Sequence, residues 1–483
     1  MRQNWESDGI WAAVHAGQNG IEHDHLDLGE FIFEAGGIRW VDDLGSDNYN
    51  IPGYFQTEGY DIYRKRPEAN NCIVINPREG YQGQSIKCIT KLTEMESKER
   101  GAKMVFDLSN AYEEDAEQVV RGFLFGDDRR SFTIRDEVKG LPQNSELYWF
   151  MNLSKDIVDI QIDSDSKSAV MTANNGTKLK LEFTDNADSY EIGTMPMSPL
   201  PTSPKVDGAA DDSARTKLYI KLKASDAVDI SVKLIPQIGY VGDIPAVDDT
   251  AISDWVIPDG AIPVRPTASS ITVNGEQIKR FSEKTLTYLV QWPMDEALPE
   301  VGAVSDAQIS IEQTTNENKP AVVRLTAADG TVTEYIITFK KLARIVDEAG
   351  YTPLDIVGVN ASSEPEEQNK KENAIDGDPQ TRWSAEGNGV WIEADLGEVK
   401  TFDAIKMAFY LGSQRTTNYD IAISADGVNY ETIYSGDSSG NTDGCEVYKI
   451  SGTARYVRFI GHGNSEGTAW ISVNEFIPMI SLG

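Results

Sequence analysis

Cysteine is nearly absent. The three thiols in 483 residues, Cys72, Cys88 and Cys445, allow one bridge at most and exclude a disulfide scaffold. Histidine is scarcer still: two of the four residues, His23 and His25, stand two positions apart. No apolar run approaches the ~20 residues that a spanning helix needs, so no membrane span is expected. Basic residues number 44 against 77 acidic ones, a net charge of −33. A surface so acidic repels polyanions and excludes a general nucleic-acid binder. Any anionic ligand must therefore meet a local basic patch or a metal. What remains, 40% hydrophobic and 25% charged residues, is ordinary globular composition, and the length predicts about three domains.

Residues 1–240 read as many short strands parted by Gly, Asn and Asp. Ile10–His15, Leu28–Ala35, Ile38–Val41, Cys72–Asn76, Lys103–Leu108, Ser131–Asp136 and Lys178–Phe183 are the clearest. That pattern predicts an all-β chain beginning with an antiparallel β-sandwich. Residues 241–266, rich in Pro, Asp and Ala, read as a linker. Residues 267–342 form a second all-β unit, with Asp329-Gly330 as a hairpin turn; a second linker, 343–354, leads to a last domain, 355–483. No basic and apolar leader precedes the first strand signal, which suggests a chain cut from something longer. The 267–342 unit resembles bacterial Ig-like or cadherin-like repeats, which implies an Ig-like sandwich acting as a spacer.

In the last domain, Asn373–Trp383, Val390–Gly397, Tyr419–Gly427, Ala454–Phe459 and Trp470–Glu475 follow in order. Together they resemble the F5/8 type C (discoidin-like) family, which implies a jelly roll that binds carbohydrate. Ala374, Asp376, Asp378 and Thr381 place hard oxygens on one tight turn, and Glu475 can complete the set. Such donors suit Ca²⁺; an Asx-type turn without metal is the other reading. For ligand contact the candidates are Arg415, Asn418, His462, Asn464 and Trp470. Arg and Asn fork onto carboxylates or vicinal hydroxyls, and an aromatic face stacks on a sugar; the alternative makes Trp470 core and the Gly-rich loop a plain turn. The Arg415 and Gly461-His-Gly-Asn464 loops resemble those of modules attached to alginate lyases.

At the other end, His23-Asp-His25-Leu-Asp27-Leu-Gly29-Glu-Phe31 precedes Asp42-Asp43-Leu-Gly45 and Tyr49. On a strand, His23 and His25 would share a face, and a carboxylate from the next strand would complete a mixed N/O site of the kind zinc accepts. With Tyr63–Pro77, Asp107–Tyr112, Arg121-Gly-Phe123, Asp136-Glu-Val138 and Tyr148–Asn152, these motifs resemble the β-sandwich part of heparinase II/III-like polysaccharide lyases. The resemblance implies metal ligands at His25 and Asp43, with Asp42 a rival, and a cleft-facing catalytic histidine at His23. The family's third ligand, a histidine, is replaced by Asn70. Either zinc is held weakly through Asn70 and water, or the site is a metal-free hydrogen-bond cluster.

The family's (α/α) toroid has no counterpart here. An upstream toroid of the same enzyme is therefore an expected partner, with acidic polysaccharide as the substrate and an extracellular or cell-surface location. β-Elimination needs the uronate carboxylate neutralised, a base for the C5 proton and an acid for O4. Arg64, Lys65 and Arg66 form the densest basic cluster, so Arg64 and Arg66 are the expected neutralising groups beside His23; solvated charges on an edge strand are the alternative. Alginate is the first substrate expected and a glycosaminoglycan the second. The rival reading is a non-catalytic carbohydrate-binding or adhesion protein.

Overall fold

The computed structural model describes residues 1–239, 244–293, 296–316, 319–465 and 468–482. Contacts divide it into two compact units: Met1–Leu289 with Glu300–Thr338, and Val290–Pro299 with Phe339–Gly483. Both are antiparallel all-β, as the alternating pattern predicted.

The first unit is built on two long strands, Ser131–Asn152 and Thr216–Pro236, paired from Lys217↔Asn152 to Leu234↔Phe132 with a register shift around Asp226. Their alternate residues are buried, so each strand presents one apolar face, and neighbours on either side extend them into a ten-stranded sheet. A three-stranded sheet, Trp11–Val14, Phe31–Ala35 and Ile38–Val41, covers that face. Phe31 lies 5.9 Å from Trp149 and 6.2 Å from Phe123, and Phe33 stacks on Phe132 at 5.7 Å. Truncating any one of these rings would cost about 3–5 kcal/mol.

Inside this core sits one fully buried ion pair. Arg121 and Asp136 face each other across adjacent strands. Two guanidinium nitrogens of Arg121 donate to Asp136 at 2.7 and 2.8 Å, and the third donates to the carbonyls of Gly29 and Asn71. The pair thereby pins the ends of the two loops that carry the candidate site.

Much of the segment read as a linker is not free chain. Tyr240–Asp243 lies outside the described residues, but Ile252, Trp255 and Ile257 are buried against the sandwich. Trp255 lies over Gly122, where a Cβ would stand 2.7 Å from its ring. Lys103 and Lys98 donate to the carbonyls of Trp255 and Ile257. Apolar side chains that find a groove tie a segment down whatever its proline content. Farther on, two small sheets, Glu276–Gln277/Ser270–Val273/Val301–Val304 and Thr287–Pro293/Val332–Leu342/Ala321–Thr326/Gln308–Glu312, follow. The contact division falls within Thr287–Pro293 and Val332–Leu342.

In the second unit a six-stranded sheet centred on Trp470–Ser481 and a five-stranded sheet centred on Gly452–Asn464 enclose Trp383, Phe409, Tyr419, Phe459 and Phe476. Trp383–Glu386 pairs with Trp470–Ser481, which brings the Asn373–Thr381 loop beside Glu475.

Candidate functional site

The His23 motif is a turn rather than a strand, which corrects the shared-face expectation. The Asp24 carboxylate accepts from Gly20 N at 2.6 Å and from the Tyr60 hydroxyl at 2.7 Å, and Leu26 N donates to the Lys65 carbonyl at 2.9 Å. These bonds bend the chain before it can pair. His23 adopts φ 66°, the left-handed region that a β-carbon disfavours. Its imidazole is exposed and packs on Tyr49 and Phe55 at centroid distances of 5.6 and 5.0 Å. His25 is half-buried; desolvation lowers its pKa, against the pull of Asp27 and Asp43.

The two candidate carboxylates are otherwise engaged. Asp43 closes its own turn by accepting from Gly45 N at 2.6 Å, and Asp42 pairs with Arg215 at 2.7 Å. Asn70 is buried and donates to the Arg66 carbonyl at 2.8 Å; its side-chain oxygen has no partner. One imidazole, one carboxylate turned into its own loop and one amide oxygen do not make a zinc site. Among the described residues, no three His, Cys, Asp or Glu side chains converge as a ready-made metal site. In the first unit the histidine that meets a carboxylate is His15, whose Nδ1 lies 3.1 Å from Asp27, and that contact raises its pKa. Sequence reading passed over it as a strand end.

The basic cluster is also corrected. It lies on 3₁₀ turns, Tyr63–Lys65 and Pro67–Ala69, not on an edge strand. Arg64 forks onto Asp212 with two bonds of 2.8 Å and gives its third nitrogen to the Ser46 carbonyl. Arg66 is buried, with the Tyr81 carbonyl, Ser203 and Glu68 around its guanidinium. Both guanidinium charges are thus paired with carboxylates of the fold, and the Arg66 Nε, which lacks a hydrogen-bond partner, is buried. Lys65 is buried too: its ammonium donates to the Tyr54 carbonyl at 3.1 Å and lies 4.8 Å from the Tyr54 ring and 4.5 Å from the Tyr60 ring. Tyr60, which sequence reading missed, is therefore held between Lys65 and Asp24. Burial and the Asp24 carboxylate raise its phenol pKa well above the usual range. A cavity of about 620 Å³ between the Trp255 segment and the sandwich has Arg100 and Lys233 paired with Asp128 and Asp127. It does not contain the His23 loop.

The acidic loop of the second unit contrasts with this. Ala374 and Glu475 are buried, and the Thr381 hydroxyl donates to Asp376 at 2.8 Å. Asp378 N donates to Asp376 at 2.9 Å and Gln380 N to Asp378 at 3.0 Å. Glu475 is 1% exposed, yet neither carboxylate oxygen has a hydrogen-bond partner. Burial, then Asp376 and Asp378, push its pKa up to about 7; the Gly377 N–H pulls the other way without completing a bond. Glu475, Asp376, Asp378 and the Thr381 hydroxyl are hard oxygen donors of the type a hard cation takes, although the three carboxylates do not converge as a ready-made site.

The expected sugar contacts divide. His462 is wedged between Asp420, 3.0 Å from Nε2, and Asn388, 2.9 Å from Nδ1. It shares one face of Gly452–Asn464 with Arg458 and Tyr456, whereas the 457, 459 and 461 positions face the core. Asn418 is exposed and donates to Asp437 at 2.7 Å. Asn464 is buried; its amide donates to the Thr468 hydroxyl and the Trp470 carbonyl, a loop-holding role. Arg415 is buried as well, 5.6 Å from the Tyr410 ring, and Arg382 lies 4.0 Å from the same ring. Trp470 is half-buried opposite Glu386.

Residues 3–217 match the family described as Heparinase II/III-like, C-terminal, and residues 358–476 match the F5/8 type C domain. The two matches lie in separate segments of the chain, the first toward its N-terminal end and the second toward its C-terminal end. Polysaccharide lyase 8 family protein HylA of Enterococcus faecalis is 33% identical over 90 residues, 18% of this chain and 6% of that protein. The chain thus spans a small fraction of that curated relative. Among solved structures, the carbohydrate-binding module of AlyQ in complex with 4,5-unsaturated mannuronic acid is 42% identical, covering 26% of this chain and 97% of that one at a TM-score of 0.25. The heparan sulfate lyase HepC of Pedobacter heparinus is 13% identical, covering 56% of this chain and 36% of that one at a TM-score of 0.40.

Proposed function

We propose that the chain supplies the β-sandwich wall and the sugar-binding module of an extracellular polysaccharide lyase. Its substrate would be an acidic, uronate-containing polymer, alginate first and a glycosaminoglycan second. The observation that supports this reading is the His23 loop, with an imidazole held outward in a strained backbone conformation beside the Asp24-bonded phenol of Tyr60. In β-elimination the C5 proton leaves, the C4–O4 bond breaks and O4 takes up a proton. In this reading His23 exchanges a proton with the sugar, and the buried Tyr60, whose hydroxyl donates to Asp24, holds the loop that presents it. With Arg64 and Arg66 engaged internally, carboxylate neutralisation and the base fall to the upstream toroid. Zinc enters no step.

In the module, Ala374, Asp376, Asp378, Thr381 and Glu475 would hold Ca²⁺, whose charge would compensate the buried Glu475. Asn418, His462 and Trp470 reach the surface that a sugar would touch.

The test is ultraviolet detection of unsaturated product from alginate, heparan sulfate and a neutral glucan, using the chain alone and joined to its upstream half. Product is expected only from the joined protein and a uronate polymer, with His23→Ala lowering kcat by about 10²–10⁴-fold. Turnover by residues 1–483 alone would contradict the reading. Polysaccharide binding without product from the joined protein would favour the non-catalytic adhesion protein.

A further inference from the structure

Beside His23 stand two aromatic side chains that a globular surface gains nothing by showing: Tyr49 is 49% exposed and Phe55 52%. They are not stray. Tyr49 and Phe55 lie 5.3 Å apart, and both touch Tyr54, at 4.9 and 5.0 Å, as well as His23. Five ring contacts among four residues fix the cluster without burying its outer faces. The Tyr49 and Phe55 planes meet at 60°, forming an open corner rather than a closed pack. Behind it, the Lys65 ammonium lies against the inner ring, Tyr54. In a chain of net charge −33, this puts a positive charge at the back of an apolar corner.

We propose that this corner is a sugar-stacking subsite: Tyr49 and Phe55 receive the C–H face of one pyranose ring of a uronate-containing polysaccharide and hold the adjoining linkage against His23. A pyranose has an apolar face and a polar rim, so it matches exposed aromatic rings bordered by polar groups. The Lys65 charge behind Tyr54 favours a carboxylated ring over a neutral one. The subsite rests on the lyase reading for the identity of the sugar, not for the existence of the site.

The experiment is calorimetric titration of the full chain with alginate oligosaccharides and, in parallel, neutral cello-oligosaccharides. Wild-type chain is expected to show two classes of site for the acidic ligand. Tyr49→Ala and Phe55→Ala should each weaken one class about tenfold and leave the other, while Phe55→Trp should retain both. Each alanine variant gives up three of the five ring contacts, so melting curves are recorded alongside and only the folded fraction is titrated. A single class in the wild type, or two unaltered classes in the double alanine variant, would overturn the proposal, as would equal affinity for the neutral ligand. Ring-dependent acidic binding in a joined protein that yields no unsaturated product would support the subsite while removing the lyase reading.

Discussion

The His23 loop of the first unit and the Asp376 loop of the second are both acidic turns that the sequence offers as metal sites, but they satisfy their charges differently. Around His23 three carboxylates already have protein partners: Asp24 has Tyr60 and Gly20, Asp43 has Gly45, and Asp42 has Arg215. Around Asp376 the loop satisfies its own donors but leaves Glu475 buried without a partner. Similar residue types therefore do not predict similar sites. The difference lies in whether neighbouring strands deliver hydrogen-bond donors or only more carboxylates.

The largest expected effect removes the tie that makes the first loop self-sufficient. Arg121→Ala leaves Asp136 buried and uncompensated, at a cost of about 3–5 kcal/mol. Chemical denaturation should show that loss in the first unit only. The second test removes the cation from the other loop. At a hundredfold excess over Kd, calcium should contribute about 2.7 kcal/mol to the second unit, so a chelator should lower its melting transition and spare the first. Glu475→Gln sharpens this test: it should raise stability in chelator and abolish the calcium response. A calcium-insensitive wild type would erase the contrast between the loops.

Third, the paired histidines should separate. His25→Ala should cost about 1–2 kcal/mol, since the side chain is half-buried. His23→Gly should raise stability by about 1 kcal/mol by relieving the left-handed backbone, while lowering turnover in the joined enzyme. The smallest effect is the pH dependence of His15. Asp27 raises its pKa in the folded state, so the stabilisation is fully present below the unfolded value of about 6.5 and is lost as pH rises through the folded value. Because the imidazole is 58% exposed, it amounts to a few tenths of a kcal/mol. An NMR titration that returned the same His15 pKa in Asp27→Asn would remove this contact from the comparison.

Much of the architecture was legible. The strands around Ile38, Lys103, Ser131 and Lys178 formed where alternation placed them, because a period of two is a local property. The site was less so. His23-Asp-His25 has strand spacing, but Asp24 bonds Tyr60, 36 residues away, and turns the segment out of the sheet. Arg64 and Arg66 read as free to neutralise a substrate carboxylate because Asp212 and Ser203, their partners, lie more than 130 residues on. The proline-rich linker read as loose because the groove at Gly122 that seats Trp255 is formed by distant strands.

The sequence by itself determined the all-β class, the order of the two family domains and the acidic character, since side-chain period, turn residues and charge act locally or additively. The tertiary structure alone decided which charges are compensated, which histidine meets a carboxylate and which aromatic rings stay open. Those outcomes depend on hydrogen bonds and burial between residues far apart in the chain, and pairing at that range leaves no periodic trace in the sequence.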